Sequence, residues 1–520
     1  MKWLILFLFI TLAFADVSRF LPLPKIHAFG TSTLALSSDF SFRATRSNEI
    51  IDGAFQRYRR FITSLSIDAP ADVSSPTSSI SIVDVSVAHI DAPLVFGVDE
   101  SYNITASASG VSISAQTPWG ILSALETFSQ MVENSRHGLV IRETPLVIQD
   151  RPRWSWRGLL IDTARHYLPV STIKQVIDAM SYSKLNVLHW HLVDAQSFPL
   201  DLPSLPEMAK KGSFKPHLMY TPSIISGVIS YARSRGVRVL PEVDMPGHAY
   251  SWGYAYPHII SQCPARFRSN PNSFPLDPSQ PDTWRVVSAI ANDLQDLFDD
   301  EYIHLGADEP NFACWTEYQP VAEWMKREGM KDGADVYRYF FNRALPMFSK
   351  YKTILWQEAV LLGAEIPYSS MIHVWTGLEN VKKVIAMGYD ILTSAGFYLD
   401  RQFPIDQPRY AFQQTWMDFF ITEPTKGLED KEKTKIKGME SCMWGESVDK
   451  FSLISRIWPR NLAVSERAWN ELVDEKNINW AFEQKRMELQ RCRMSGRGLG
   501  IGPVVPGDVG QCKFALPPYV

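Results

Sequence analysis

The stretch Tyr302-Ile303-His304-Leu305-Gly306 is short and largely apolar, and Ala307-Asp308-Glu309 follows it at once. An apolar run of this length, closed by turn-forming and charged residues, reads as a buried strand. Seven further runs share its character, at 158–161, 187–191, 237–243, 353–356, 371–375, 391–394 and 438–444. Helical patterns separate them. Strands alternating with helices pair in parallel, and eight such units over about 350 residues fit a closed (β/α)8 TIM barrel with insertions.

Upstream, residues 16–150 carry strand-like runs at 80–87, 111–115 and 139–141 and one helical stretch at 119–132, the pattern of a small α+β domain. Asp150-Arg151-Pro152-Arg153 interrupts it, and Pro152 disfavours helix just before itself, so the boundary is placed there. Residues 151–520 then form the catalytic barrel and a C-terminal extension. At the start, Met1-Lys2, an apolar run over 3–13 and the small-x-small site Ala13-Phe14-Ala15 predict a signal peptide over residues 1–15. The run is shorter than the ~20 residues of a membrane span. The expected destination is the secretory pathway, ending in the lysosome or outside the cell.

With 45% hydrophobic and 21% charged residues the composition is that of a globular protein, and 52 basic against 56 acidic residues leave no basic footprint for nucleic acid or an anionic membrane. Secretory entry permits disulfides among the five cysteines, Cys263, Cys314, Cys442, Cys492 and Cys512. Cys442 lies in a strand-like run and suits a buried thiol, while spacing does not fix how the other four pair. The sequon at Asn103 makes that residue a candidate glycosylation site. A homodimer is compatible with the sequence without being specified by it.

Catalytic groups of such barrels gather at the C-terminal ends of the strands. There the sequence places Arg157 with Asp162, the segment 189–194, the segment 242–248, Asp308-Glu309, Trp356, Trp375, Tyr398 and Trp444 to Glu446. Carboxylates among indole rings suit sugar, whose C–H faces stack on aromatics and whose hydroxyls need charged partners. Trp315, Trp324 and Trp469 read as core instead. His189-x-His191, with Asp194 nearby, sets two imidazoles on one strand face and raises a metal-dependent hydrolase as the alternative. Relatives of that kind carry the pair on the first strand, whereas here it ends the second. No metal and no cofactor is therefore expected.

The motifs Arg157-Gly-Leu-Leu-Ile-Asp-Thr-Ala-Arg-His166, His189-Trp-His-Leu-Val-Asp194, Pro241-Glu-Val-Asp-Met-Pro-Gly-His248, His304-Leu-Gly-Ala-Asp308-Glu309 and Met443-Trp444-Gly-Glu446 resemble glycoside hydrolase family 20 β-N-acetylhexosaminidases, near the lysosomal α and β subunits. The resemblance implies an exo-enzyme removing terminal non-reducing β-linked GlcNAc or GalNAc. In this family the substrate's own acetamide is the nucleophile and an oxazolinium forms with overall retention. By the same resemblance Glu309 is the acid, Asp308 holds the acetamide N–H, and Tyr398 binds its carbonyl. Trp356, Trp375 and Trp444 wall the acetamido pocket. Arg157, Asp194 and Glu446 bind sugar hydroxyls, His248 stands beside the acid, and Cys263 with Cys314 pins the flanking loops, which leaves Cys492 for Cys512. An acid that starts protonated needs a raised pKa, and Asp308 is the expected source of the like charge. A carbohydrate-binding descendant without activity should have lost Asp308, Glu309 or Tyr398, and all three are present.

Three departures stand out: Ala195 replaces a usual aspartate, Ala307 a frequent glycine, and Pro310 a common valine. The segment Tyr398-Leu399-Asp400-Arg401 mixes features of relatives that accept and reject anionic sugars. An extended segment would aim Asp400 into the pocket with Tyr398 and turn Arg401 away, favouring neutral over 6-sulfated substrates.

Overall fold

A computed structural model describes residues 16–267, 270–401, 415–472, 475–505 and Cys512. The expected signal peptide lies outside them.

The first part is an eight-stranded sheet. Its strands are β1 (Ile26–Ala28), β2 (Ser32–Ala44), β3 (Ser78–Val87), β4 (Tyr102–Ser107), β5 (Gly110–Ala115), β6 (Val132–Ser135), β7 (Gly138–Thr144) and β8 (Leu146–Asp150), ordered β1-β8-β4-β5-β3-β2-β7-β6. Burial alternates along β4, as one face packs inward and the other meets water. Helices α1 (Glu49–Leu65) and α2 (Pro118–Met131) cover the inner face. Thr117 accepts the Gly120 N–H and Pro118 takes the first turn, so α2 starts where a side-chain cap and a fixed φ coincide. Every residue of α2 is buried.

The second part is a closed parallel barrel: β9 (Trp156–Asp162), β10 (Val187–Val193), β11 (Arg238–Met245), β12 (Tyr302–Gly306), β13 (Lys352–Trp356), β14 (Met371–Val374), β15 (Asp390–Thr393) and β16 (Ile436–Met443), with β16 pairing back onto β9. The expected (β/α)8 class and all eight strands are found. Alternate residues of each strand fill the interior in layers. Trp156, Val187, Leu240, Tyr302, Ile354, Met371 and Leu392 make an apolar bottom. Above it lie His189, Glu242, His304, His373 and Glu440, all fully buried. Gly158 leaves the room for Glu440, since a Cβ there would fall 2.4 Å from its side chain. Leu160, Trp356, Tyr398 and Cys442 close the top, with Trp375 and Trp444 packed against them.

Cys263 bonds Cys314, and Cys492 bonds Cys512, while Cys442 is a buried free thiol. Trp315, Trp324 and Trp469 are core residues. Asn103 is exposed on β4. No helix of the described residues is long and apolar enough to cross a membrane.

Candidate active site

At the top of the barrel the ends of β9, β10, β11 and β12 converge on one line of charges. Arg165, three residues beyond the end of β9, donates to Asp162 at 3.1 Å and meets Asp194 at 2.9 Å and Glu446 at 3.9 Å. Its guanidinium carbon lies 5.0 Å from the Trp444 ring centre. Asp194 continues to His191 at 2.8 Å and to His248 Nδ1 at 3.2 Å. His248 Nε2 then stands 3.7 Å from both Asp308 and Glu309. Burial pushes the Asp194 carboxyl up, but Arg165, His248 and His191 more than offset it and hold it below the ordinary range. Burial would likewise strip His248 of its proton, and Asp194 and Asp308 keep it instead.

The acid loop is held in a backbone conformation that side chains seldom take. His248, Ala307 and Glu309 have φ of 54°, 96° and 47°, and Gly306 has 67°. Such residues cluster where surrounding contacts over-determine the chain. At Gly306 a Cβ would fall 1.6 Å from Asp244 Oδ1, so only glycine fits. Ala307, where the sequence departs from a usual glycine, adopts the conformation that glycine would relieve.

Asp244 is a site residue that sequence reasoning left unassigned. Its Oδ1 accepts the Ala307 N–H at 3.2 Å. Burial and then the Asp308 charge push its carboxyl well above the ordinary carboxylate range. The Asp308 Oδ1 atom is buried without a partner and stays available to a donor. Glu309 differs from expectation. Its side chain is 58% exposed, and the neighbouring His248 imidazolium holds its pKa below the ordinary value. Asp308 does not supply the expected upward push, because in the open pocket contact with a cation outweighs burial.

The pocket wall is aromatic. Trp356 donates to Glu242 at 3.0 Å and stacks on His373 at 4.1 Å, Trp444 lies 6.1 Å from Trp356, and Trp375 lies 6.2 Å from Tyr398. Tyr398 is carried beside β16 by a bridge to Cys442. Below the wall, His189 bonds Glu440 at 2.9 Å and contacts Glu242 at 3.0 Å, while His191 bonds Glu242 at 2.6 Å. His189, Glu242 and His304 are close enough together to share an ion. His189 Nδ1 bonds Glu440 and His191 Nδ1 bonds Glu242, so the His-x-His pair sits on a buried carboxylate layer.

Two sequence expectations are corrected. Arg157 is the second residue of β9, at the far end of the barrel, and faces out of it. It is fully buried there, donating to Glu100, to the Lys184 carbonyl and to the Trp154 carbonyl. The arginine that reaches the cluster at the top of the barrel is Arg165, whose signal is its position after the C-terminal end of the same strand. Secondly, Leu399–Arg401 is a 3-10 turn and not an extended segment. Arg401 is therefore not turned away and lies 4.7 Å over the Tyr398 ring, while Asp400 is mostly buried.

Residues 154–472 match the model of "Glycosyl hydrolase family 20, catalytic domain", and residues 20–131 match "beta-acetyl hexosaminidase like". Beta-hexosaminidase 3 of Arabidopsis thaliana is 35% identical over 529 residues, covering 96% of this chain and 95% of its own. Beta-hexosaminidase subunit beta of Homo sapiens is 34% identical over 497 residues, covering 93% and 87%. The X-ray structure of Flavobacterium johnsoniae chitobiase superposes with a TM-score of 0.79 at 26% identity, over 92% of this chain and 73% of that one. On this match of sequence, architecture and site, the chain belongs to glycoside hydrolase family 20.

Proposed function

We propose that this glycoside hydrolase removes terminal non-reducing β-linked GlcNAc and GalNAc with retention, using the substrate's acetamide as nucleophile. The observation that carries the proposal is the Asp308–Glu309 pair, joined through His248 and Asp194 to Arg165 beside an indole-walled pocket. Glu309 donates the proton to the glycosidic oxygen. Covering it with sugar removes water from around it and raises its pKa toward the protonated state the reaction needs. Asp308, left with an open oxygen, takes the acetamide N–H and offsets the charge of the forming oxazolinium. Tyr398 binds the acetamide carbonyl while Trp356, Trp375 and Trp444 confine it. Arg165, Asp194 and Glu446 hold the sugar hydroxyls.

In the same proposal residues 16–150 form a supporting domain and 151–520 the catalytic part, and the chain enters the secretory route, ending in the lysosome or outside the cell. Cleavage before Asp16 would free an ammonium 2.5 Å from Glu143. A homodimer is included, to be read by sedimentation.

The test is hydrolysis of β-GlcNAc, β-GalNAc, 6-sulfated and chitooligomer substrates, with a thiazoline analogue of the oxazolinium as inhibitor. Retention with thiazoline inhibition is expected. A trapped covalent glycosyl-enzyme would refute the substrate-assisted route.

A further inference from the structure

Two side chains just beyond β13 grip the end of β14. Gln357 accepts the backbone N–H of Trp375 at 3.2 Å and that of Thr376 at 3.4 Å, and donates to Thr376 Oγ1 at 2.8 Å. Glu358 follows and turns both carboxylate oxygens onto the Trp375 indole N–H, at 3.1 and 3.2 Å. Backbone and ring of one tryptophan are thus fixed by consecutive residues of the neighbouring strand's loop.

Trp375 needs such a grip. Trp356, its companion in the wall, is fully buried and stacked on His373. Trp375 is only partly buried, with Tyr398 its one aromatic neighbour among the described residues, at 6.2 Å. Packing that leaves one face open does not define the ring's tilt, and a three-centre hydrogen bond from the indole N–H to both carboxylate oxygens does.

The carboxylate is costly where it stands. Asp308 and Glu309 face it from the acid loop and Tyr337 from the helix Gly333–Ala344, and it makes no ion pair among the described residues. Burial, then the Asp308 charge, pushes Glu358 up to about 7. A carboxyl kept in such company with an indole N–H as its side-chain partner is poorly explained by stability.

We propose that the Gln357–Glu358 pair fixes the Trp375 ring and thereby sets how large an N-acyl group the pocket accepts. Glu358 is a positioning residue in this scheme: it acts on substrate through the tryptophan. The inference rests on Trp375 being a wall of the acetamido pocket, as proposed above.

The experiment compares wild type, Glu358→Gln and Glu358→Leu on aryl β-glycosides of glucosamine bearing N-acetyl, N-propionyl and N-butyryl groups. Glutamine keeps an acceptor for the indole and leucine does not. Glu358→Leu should lower kcat/KM on the N-acetyl substrate about tenfold, the worth of one such hydrogen bond, and reduce the acetyl-over-propionyl ratio at least threefold. Glu358→Gln should keep that ratio within about twofold of wild type. If Glu358→Leu does not fold, Glu358→Asp replaces it, being one methylene too short to reach the indole. An unchanged acyl ratio in the variant lacking the bond, or a glutamine variant as altered as leucine, overturns the proposal. Wild type that hydrolyses no 2-acylamido sugar would instead defeat the functional reading itself.

Discussion

Replacing each of the two arginines of the motif at β9 by lysine separates a catalytic from a structural role. Arg165 uses its fork on Asp162 at 3.1 Å and Asp194 at 2.9 Å while its guanidinium carbon lies 5.0 Å from the Trp444 ring centre. A lysine can keep one carboxylate but not both with the ring. One lost charge-assisted hydrogen bond, at about 1.5–3 kcal/mol, plus the weakened ring contact gives ~2–4 kcal/mol. At ~1.4 kcal/mol per decade this is a fall in kcat/KM of roughly 30- to 1000-fold. Arg157→Lys removes an equally buried fork from Glu100 at the opposite end of the barrel. It should lower Tm and leave kcat/KM within about threefold of wild type. The assay is kcat/KM on an aryl β-GlcNAc together with thermal denaturation of both variants. Arg157→Lys losing turnover at unchanged Tm, or Arg165→Lys keeping it, would refute the assignment.

Glu309→Gln should cut kcat by about 10² to 10⁴ on poor leaving groups and less on an activated phenol, and equal losses on both would remove Glu309 from the acid role. Burial and the Glu446 charge hold Asp400 at about 6, so it is charged above that pH and neutral below it. Discrimination against 6-sulfated GlcNAc should therefore weaken as pH falls from 7 to 5, and Asp400→Asn should flatten the dependence. A ratio independent of pH in wild type would point to Arg401. Ala307→Gly relieves a φ of 96° at the acid loop, and should stabilise by ~1 kcal/mol after glycine's entropy, raising Tm by a few degrees, whereas a lower Tm would mean the turn is not strained.

The barrel was legible because each strand is a buried apolar run with polar residues at its end, a pattern that does not depend on distant contacts. The same rule, applied strictly, would have separated Arg157 from Arg165, since one precedes the apolar run and the other follows it. Asp244 was harder to find: its role comes from Asp308 and Ala307, more than sixty residues away. The turn at Asp400 is not legible because nothing in Tyr398-Leu399-Asp400-Arg401 distinguishes an extended segment from a 3-10 turn. In the first domain, β2 is hard to read because its apolar residues are interrupted by serines and its partners lie far along the chain. Helix α1 carried its signal in Ile51, Ala54, Tyr58, Phe61 and Ile62, one face at helical spacing.

The junction between the two parts holds buried ions beside its aromatic contacts. Arg157 and Asn186 of the barrel both bind Glu100 of the sheet domain, Lys184 meets Tyr102 and Asp150, and Arg497 meets Glu126. Buried charges of this kind tolerate one another only in company, and removing one partner costs about 3–5 kcal/mol. The small domain is then no detachable module to be trimmed or exchanged, because a bare barrel would carry stranded cations. In genetic terms, a missense change at Glu100 or Glu126 should lower the amount of enzyme in the cell while each surviving molecule works at full rate.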